Sequence, residues 1–511
     1  MLSDLLFHIL IGIVLYLFYK WATINNDYFV KRKILHLDSV FLVGNTFELF
    51  LMRSYPAKWL ESVYYRFPKE KIIGFFDMST PVYMLRDLDL IYKITIKDFD
   101  FFKNHWISFA LKSDSFMGKS VVSLEDSKWN DMRSTLSPIF TSSKLRHMFE
   151  LVVECADEMI EYLRENLQQN NSAQLNIKEV FSRCSSDIIT SCAFGVKVNS
   201  FKCPKNDFYT FGKNMMNFTS AKSILRIILV RTLPNLMLAL NIEYFSKDLR
   251  QFFKSMVLYI MADREKRQIY RPDMINTLIQ MRNGTTRNNI NENSNEKDVG
   301  FATVEESNFG KKQVQRIWNE HEIVAQSAFF YTANFETIST VMTFLAYELA
   351  VNWDIQQKLY EEIQATSDSL DGDRLTYDII PKMKYFDQVV CETLRKWPTA
   401  VLTNRICSKD YDLELDGRRV TIERESFDPE RFNDENKKNI KAGAYIPFGI
   451  GPRNCIGSRL ALMEIKAVFF YLLLNFHIQP NENMEIPLKI HNSVAFWDIE
   501  STIDLELKPR V

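Results

Sequence analysis

The stretch that decides the fold is Tyr445-Ile-Pro-Phe-Gly-Ile-Gly-Pro-Arg-Asn-Cys455-Ile-Gly-Ser-Arg-Leu-Ala-Leu-Met-Glu464. Its glycines let the backbone take tight turns with positive φ around one thiol. An apolar helix is predicted from about Ser458, and a helix start and the nearby Arg453 both favour the thiolate form of Cys455. These residues fit a metal-bound thiolate, although a lone cysteine in a glycine-rich turn is more often a buried thiol without a ligand.

Phosphate binding is the other common use of such glycine clusters, and the spacing excludes it. Gly449-x-Gly451 lacks the third glycine of a dinucleotide-binding turn, and no Gly-Lys-Ser/Thr follows it. Gly118-Lys119-Ser120 lacks a glycine five positions earlier, so it is not a Walker loop.

The composition predicts a globular, mostly helical protein. The chain has 511 residues, of which 46% are apolar and 25% charged, and only 15 are glycine. Lys plus Arg number 63 against 64 Asp plus Glu, a balance that argues against nucleic acid as a partner. Seven scattered cysteines without a Cys-x-x-Cys pair argue against a zinc ribbon or an iron–sulfur frame.

Hydrophobic spacing predicts several elements. Helices are expected over residues 314–352, 354–366 and 384–396, the last ended by Pro398. Strands are expected over residues 82–84, 91–96, 401–415 and 420–422. The asparagine-rich residues 288–295 are expected to form a surface loop. The fold class is therefore mainly α with a small β part.

The N-terminal residues 1–21 are predicted to be an uncleaved membrane anchor, followed by one domain over residues 22–511. Residues 5–19 are almost entirely apolar, and basic residues follow them at 31–33, which favours a cytosolic body. A cleaved signal peptide, the alternative, would have a basic residue before the apolar run rather than Asp4. Residues 224–240 are either a buried helix with two arginines or an amphipathic element at the bilayer surface.

The complete pattern Phe448-Gly449-x-Gly451-x-Arg453-x-Cys455-x-Gly457 resembles the haem-thiolate signature of the cytochrome P-450 monooxygenases. The similarity runs from about residue 80 to the end and is of the microsomal, insect-type detoxification branch. It implies the fold of that family, in which haem lies between a long oxygen-activating helix and the cysteine loop. It also implies that Cys455 is the axial ligand of the iron of haem b, and that Phe448, Gly449 and Gly457 belong to the binding loop.

Further residues resemble family positions outside this loop. Glu392-x-x-Arg395 is similar to the family's buried Glu–Arg pair, and Arg431 to its third partner, in a structural network that holds the cysteine loop. Trp129 and Arg133, four residues apart on a predicted helix, are similar to a pair that donates to haem propionates. A surface cation–π pair is the alternative for these two residues.

Arg405 and Arg453 are similar to two further family residues that bind the haem propionates. Arginine suits this role because it makes charge-assisted hydrogen bonds to carboxylates. On the long helix, Glu336 and Thr337 match the acid–threonine pair that shuttles protons during oxygen activation. The family usually has glycine where Asn334 stands, so an amide is expected in the groove that admits dioxygen.

The resemblance implies partners as well as a cofactor. Electrons would come from NADPH through a flavoprotein reductase, with a cytochrome b-type donor as a second source, at the cytosolic face of the endoplasmic reticulum membrane. The substrate would be a lipophilic small molecule. Expected substrate contacts lie in residues 101–117, 329–333, 399–402 and 494–497. A basic docking face for the reductase is expected at Lys128, Lys144, Lys437 and Lys438.

The sequence also departs from the family. After Glu423 it lacks the second strand, the turn and the proline-rich approach that usually precede the segment containing Arg431, so that Arg424 leads directly to Phe427. Two rival functions therefore stay open. One is a haem-thiolate isomerase or dehydratase that needs no reductase, for which Asn334 is the only sign. The other is a catalytically impaired deletion product that binds haem poorly.

Overall fold

The structure is a computed structural model. It describes residues 2–23, 25–41, 43–51, 53–78, 80–106, 114, 116–169, 174–215, 225–226, 229, 234–240, 242–243, 245–271, 273–283, 301–302, 317–409, 411, 428–441, 443–482, 484–490 and 503–510. The predicted strand at 420–422, the asparagine-rich loop, the junction at 423–424 and the expected substrate contacts at 494–497 lie outside these residues.

Helices dominate the described chain, as predicted. In chain order the α-helices are α1 Leu2–Thr23, α2 Tyr28–Lys31, α3 Phe47–Phe50, α4 Pro56–Arg66, α5 Leu88–Tyr92, α6 Asp126–Leu136, α7 Ser142–Gln169, α8 Ile177–Ile189, α9 Asp207–Met215, α10 Pro234–Ala239, α11 Lys247–Arg267, α12 Met274–Asn283, α13 Glu320–Val351, α14 Trp353–Ser369, α15 Lys384–Lys396 and α16 Ser458–Asn475. The strands are β1 Ile72–Asp77, β2 Thr80–Leu85, β3 Gln174–Asn176, β4 Phe476–Pro480 and β5 Asp504–Pro509.

The β part is small. Strands β1 and β2 form an antiparallel hairpin in which Ile72 pairs with Leu85 and Asp77 with Thr80. The order of the second sheet is β3-β5-β4, with both pairings antiparallel. The mainly α prediction with a small β part is therefore confirmed.

The long helix α13 is the centre of the main core. Its residues 338–350 are all buried, and it packs against α8, α16 and β4. The helix begins later than the predicted residue 314, because Asn319 caps it: the Asn319 side chain accepts from the Glu322 N–H, and the Glu322 side chain accepts from the Asn319 N–H. The predictions of α14 and α15 are confirmed, and α15 has the predicted bounds.

The strand predicted at 91–96 is wrong, and the strand predicted at 401–415 is wrong over its described residues 401–409 and 411. Residues 91–96 are helical, because Asp87 caps α5 and the Thr95 hydroxyl donates to the main-chain oxygen of Ile91 at 2.6 Å, which keeps these β-branched residues in a helical turn. Residues 401–409 form no strand and contribute only an isolated bridge between Ile406 and Asn104. The predicted strand at 82–84 is confirmed by β2.

Helix α1 covers the predicted anchor, and many of its large apolar side chains are exposed, including Leu6 and Phe7. Among the described residues, no helix combines the length and the apolar character that crossing a membrane requires.

Candidate active site

The cysteine loop is a compact turn that ends where α16 begins. The Cys455 N–H donates to the Phe448 main-chain oxygen at 2.8 Å, which closes the loop on itself. Gly449 and Gly451 have φ values of 77° and 75°, which favour glycine. A Cβ atom on Gly451 would lie 2.2 Å from the main-chain oxygen of Thr95, so a side chain there cannot be accommodated. The sequence thus needs these glycines to fix the position of one thiol.

The environment of the Cys455 thiol fits a ligand to a bound metal. Cys455 is exposed, whereas its neighbour Asn454 and Ser458 at the start of α16 are buried. Burial raises the pKa of the thiol, against the backbone N–H of Gly457 and the charge of Arg133, which lower it. The expectation that the helix start and Arg453 favour the thiolate is therefore wrong for the chain without a ligand, because burial outweighs the groups that favour the charged form. An accessible thiol can reach a bound metal ion, and a coordinating metal would stabilise the thiolate that burial opposes.

Arg133 on α6 holds the residue next to the thiol. Its guanidinium donates to the main-chain oxygen of Asn454 at 2.9 Å and to the side-chain oxygen of Asn454 at 2.7 Å. Sequence reasoning missed Asn454, although it lies within the motif. Trp129, four residues before Arg133 on α6, is buried, and the Arg453 guanidinium lies 4.0 Å from the centre of the Trp129 ring. The aromatic ring therefore stacks with Arg453.

Three arginines converge near the cysteine loop. Arg453 donates to the main-chain oxygens of Lys103 and Leu124 at 2.8 and 2.9 Å. Burial lowers the pKa of Arg453, and the charges of Arg405 and Arg133 lower it further, while guanidinium groups stay charged in proteins. The carboxylates of Asp126 and Glu125 act in the opposite direction on Arg453, and the two carboxylates of haem would be further anionic partners for this group of arginines.

Arg405 supports the same conclusion. It donates to the main-chain oxygen of Asn404 at 2.8 Å and to Thr403 Oγ1 at 2.9 Å, but its buried Nε has no partner among the described residues. His105, which sequence reasoning missed, lies beside it, with Nδ1 2.7 Å from the Asn404 main-chain oxygen. Burial and the charges of Arg405 and Arg453 lower the pKa of His105 to about 3, so this imidazole is neutral and adds no charge.

The Glu–Arg pair of α15 is fully formed. Glu392 is completely buried, and Arg395 donates to its two oxygens at 2.7 and 2.9 Å. Arg431 Nε lies 3.6 Å from Glu392 Oε1, and the Asp428 N–H donates to the same oxygen at 2.9 Å. The structure thus brings together the three residues that the sequence analysis assigned to one network, although residues 412–427, just before Asp428, are outside the described part.

On α13, Phe329, Ala333 and Thr337 form an accessible stripe at intervals of four residues, on a helix whose other residues are mostly buried. The Thr337 hydroxyl donates to the Ala333 main-chain oxygen. The neighbouring Glu336 is ion-paired with Lys178 on α8 at 3.0 Å. Sequence reasoning missed Lys178, because nothing in the sequence links two residues 158 positions apart.

Lys178 Nζ also donates to Ser339 Oγ at 2.9 Å and to Thr340 Oγ1 at 2.7 Å. Burial lowers the pKa of Lys178, and the charge of Glu336 raises it. Glu336 is therefore held on the α8 side of α13, next to a chain of polar side chains.

Asn334 contacts a residue that the sequence analysis did not predict. Its Nδ2 donates at 2.8 Å to Oε2 of Glu464, a fully buried residue of α16.

One family model and three relatives bear on these residues. The family model described as Cytochrome P450 matches residues 38–424 and 423–507, two segments that meet at the junction where the sequence lacks family residues. The probable cytochrome P450 9f2 of Drosophila melanogaster is 39% identical over 95% of this chain and 96% of its own length. Cytochrome P450 9e2 of Blattella germanica is 36% identical over 94% and 93%, and cytochrome P450 3A2 of Rattus norvegicus 34% identical over 86% and 85%.

Proposed function

Because the chain belongs to the cytochrome P450 family, we propose that it is a haem-thiolate monooxygenase that inserts one atom of dioxygen into a lipophilic small molecule. Electrons would come from NADPH through a partner flavoprotein reductase. Family membership itself implies a haem cofactor and a redox partner. The observation that carries the proposal is the position of Cys455, an accessible but desolvated thiol between a glycine turn and the start of α16.

When bound, haem would supply the oxygen-activating chemistry, which a thiolate ligand to its iron promotes. We assign that ligand to Cys455. Arg133, Arg405 and Arg453 would bind the haem carboxylates, since three partly buried guanidinium groups near the loop can make charge-assisted hydrogen bonds to them. Trp129 would support Arg453 through its ring, while Phe448, Gly449 and Gly457 fix the shape of the loop.

Thr337 and Glu336 are the proposed proton carriers. Thr337 is accessible on α13, and its hydroxyl can both accept and donate a hydrogen bond, as a group that relays protons must. Glu336, held by Lys178, would exchange protons with Thr337 through intervening water. In contrast, the network of Glu392, Arg395 and Arg431 has a structural role, because Glu392 is fully buried and bonded on both oxygens.

For location, residues 1–21 would anchor the haem domain of residues 22–511 to the cytosolic face of the endoplasmic reticulum membrane. The exposed apolar side chains of α1 support this proposal, since such surface is rarely left in contact with water.

The proposed docking face for the reductase is basic. Lys128 and Lys438 are exposed, whereas Lys437 is paired with Asp434. Charge reversal at Lys128 and Lys438 should slow reductase-driven turnover and weaken its salt dependence.

The proposal is tested by reconstituting the full-length protein with reductase and NADPH and screening lipophilic compounds by mass spectrometry. A product that gains one oxygen atom only in the presence of NADPH is expected. An isomerised or dehydrated hydroperoxide formed without NADPH would instead support the isomerase alternative. No conversion by haem-loaded protein, with a relative active in parallel, would contradict the monooxygenase proposal.

A further inference from the structure

Asn334 and Glu464 join the two helices on either side of the proposed haem site. Asn334 Nδ2 donates to Glu464 Oε2 at 2.8 Å, which connects α13, the helix of Thr337, with α16, the helix that follows Cys455. Ser185 on α8 donates to the other oxygen of Glu464 at 3.2 Å. Glu464 itself has no accessible surface.

Glu464 differs from Glu348 and Glu392, two other fully buried glutamates among the described residues. Glu348 lies 2.8 Å from Lys396 and Glu392 lies 2.7 Å from Arg395, whereas no cation is bonded to Glu464 in the described part of the chain. A buried carboxyl with only neutral donors is most stable when protonated.

The charges around Glu464 agree with a neutral carboxyl. Burial raises the pKa of Glu464 to about 8, and the hydrogen bonds from Asn334 and Ser185 only partly oppose this. The thiols of Cys184 and Cys192 are close enough to feel the charge of Glu464, and burial raises both of their pKa values, so both are neutral. Asn334 Oδ1 is buried without a hydrogen-bond partner among the described residues, and a protonated carboxyl, unlike a carboxylate, has an O–H donor.

The location of Asn334 gives this contact a functional meaning. Asn334 lies beside Ala333 and one helical turn before Thr337, at the edge of the accessible stripe of α13. Rotation about the Cα–Cβ bond of Asn334 would move its amide from Glu464 towards that stripe. An amide there would compete for the space and the hydrogen bonds that the stripe offers to a small ligand.

We propose that Glu464 is a positioning residue that holds the Asn334 carboxamide out of the oxygen groove. The proposal rests on the monooxygenase function proposed above. The contact would let this chain have an amide beside a groove that must stay open. A hydrogen bond to the neutral Glu464 carboxyl on α16 would keep the Asn334 amide to one side. Gln can make the same bond, so Glu464→Gln keeps the amide in place, whereas Glu464→Ala releases it.

The first test is the infrared C–O stretch of carbon monoxide bound to the reduced, haem-loaded protein, because a nearby amide donor changes this vibration. Wild type, Glu464→Gln and Asn334→Gly should share one band, and Glu464→Ala should add a shifted band. The double variant Asn334→Gly/Glu464→Ala should return to the single band, although it has the larger cavity. The inference fails if Glu464→Ala leaves the band unchanged or if the double variant keeps the shift, since either result indicates a merely structural role.

The second test does not depend on haem. The infrared spectrum of full-length haem-free protein at neutral pH should contain the C=O stretch of a protonated carboxyl that Glu464→Gln removes and Asn334→Gly shifts. Identical wild-type and Glu464→Gln spectra in this region would overturn the inference. If the wild type bound no haem, the proposed function would fail, and this second measurement alone would decide the Asn334–Glu464 contact.

Discussion

The Arg133 guanidinium donates two hydrogen bonds to Asn454, one to its main-chain oxygen and one to its side-chain oxygen, at 2.9 and 2.7 Å. Asn454 immediately precedes Cys455, so helix α6 directly holds the thiol loop. This contact at two points needs the planar guanidinium group of arginine, whose N–H donors point in fixed directions. The single ammonium group of a lysine cannot reproduce it.

Arg133→Lys should therefore loosen the loop while it keeps the positive charge. Loss of a bond to a charged group costs about 1.5–3 kcal/mol, so we expect haem retention to fall by about tenfold or more. Haem release to an acceptor protein measures this. Arg146→Lys, in an exposed pair with Asp378, is the control and should change little.

Gly451→Ala should prevent correct closure of the cysteine loop. The added Cβ would lie 2.2 Å from the Thr95 main-chain oxygen, at a φ of 75°, so both the clash and the backbone conformation oppose it. Gly372→Ala is the matched control, because Gly372 also has positive φ, but an added Cβ meets nothing within 4 Å. The control should cost only the backbone penalty of a positive φ, about 1–2 kcal/mol of unfolding free energy. Equal losses of thermal stability and haem content in both variants would contradict this account of the loop.

Glu392→Gln should strongly destabilise the protein. The substitution leaves Arg395 without its carboxylate partner beside a buried site, which costs about 3–5 kcal/mol. Glu161→Gln removes an exposed carboxylate 3.3 Å from Lys202 and should cost less than about 1 kcal/mol. Chemical denaturation of the two variants measures the difference.

Thr337→Ala should uncouple NADPH oxidation from product formation if Thr337 carries protons. We expect product per NADPH to fall and hydrogen peroxide release to rise severalfold, because positioned proton transfer contributes about 10²–10⁴-fold to rate. Thr366→Ala on α14 is the control, since Thr366 makes the same type of hydrogen bond to a main-chain oxygen four residues earlier. Unchanged coupling in Thr337→Ala would exclude this role.

The stability of the protein should depend on pH through Glu464. Folding raises its pKa from 4.5 to about 8, so the unfolded chain loses this proton first as the pH rises. The stabilisation by neutral Glu464 is complete below about pH 4.5 and is lost towards pH 8, by about 1.4 kcal/mol per pH unit at most. The unfolding temperature of wild type relative to Glu464→Gln should fall over this range, and a constant difference would contradict the prediction.

The sequence was informative where chemistry depends on local spacing. Cys455, its glycines, and the Glu392–Arg395 pair are each defined within one turn or one short loop, and the structure has them as neighbours. Long-range partners were not predictable. Lys178 meets Glu336 only because α8 packs on α13, and Glu464 meets Asn334 only because α16 crosses the same helix.

Local patterns also failed where two structures suit the same residues. The β-branched run at 91–96 fits a strand, but the cap at Asp87 starts a helix before it. Similarly, the start of α13 just after Asn319 is indicated only by the spacing of Asn319 and Glu322, which form a capping box. The apolar pattern by itself does not exclude an earlier start.

The measurement that most directly tests the account is the absorption spectrum of the reduced protein with carbon monoxide, for wild type, Cys455→Ala and Cys407→Ala. Cys407 is the control, because it is also an exposed cysteine but lies outside the glycine loop. The account predicts a strongly red-shifted Soret band in wild type and Cys407→Ala that is lost in Cys455→Ala. The same band in Cys455→Ala, or no such band in folded wild-type protein, would contradict it.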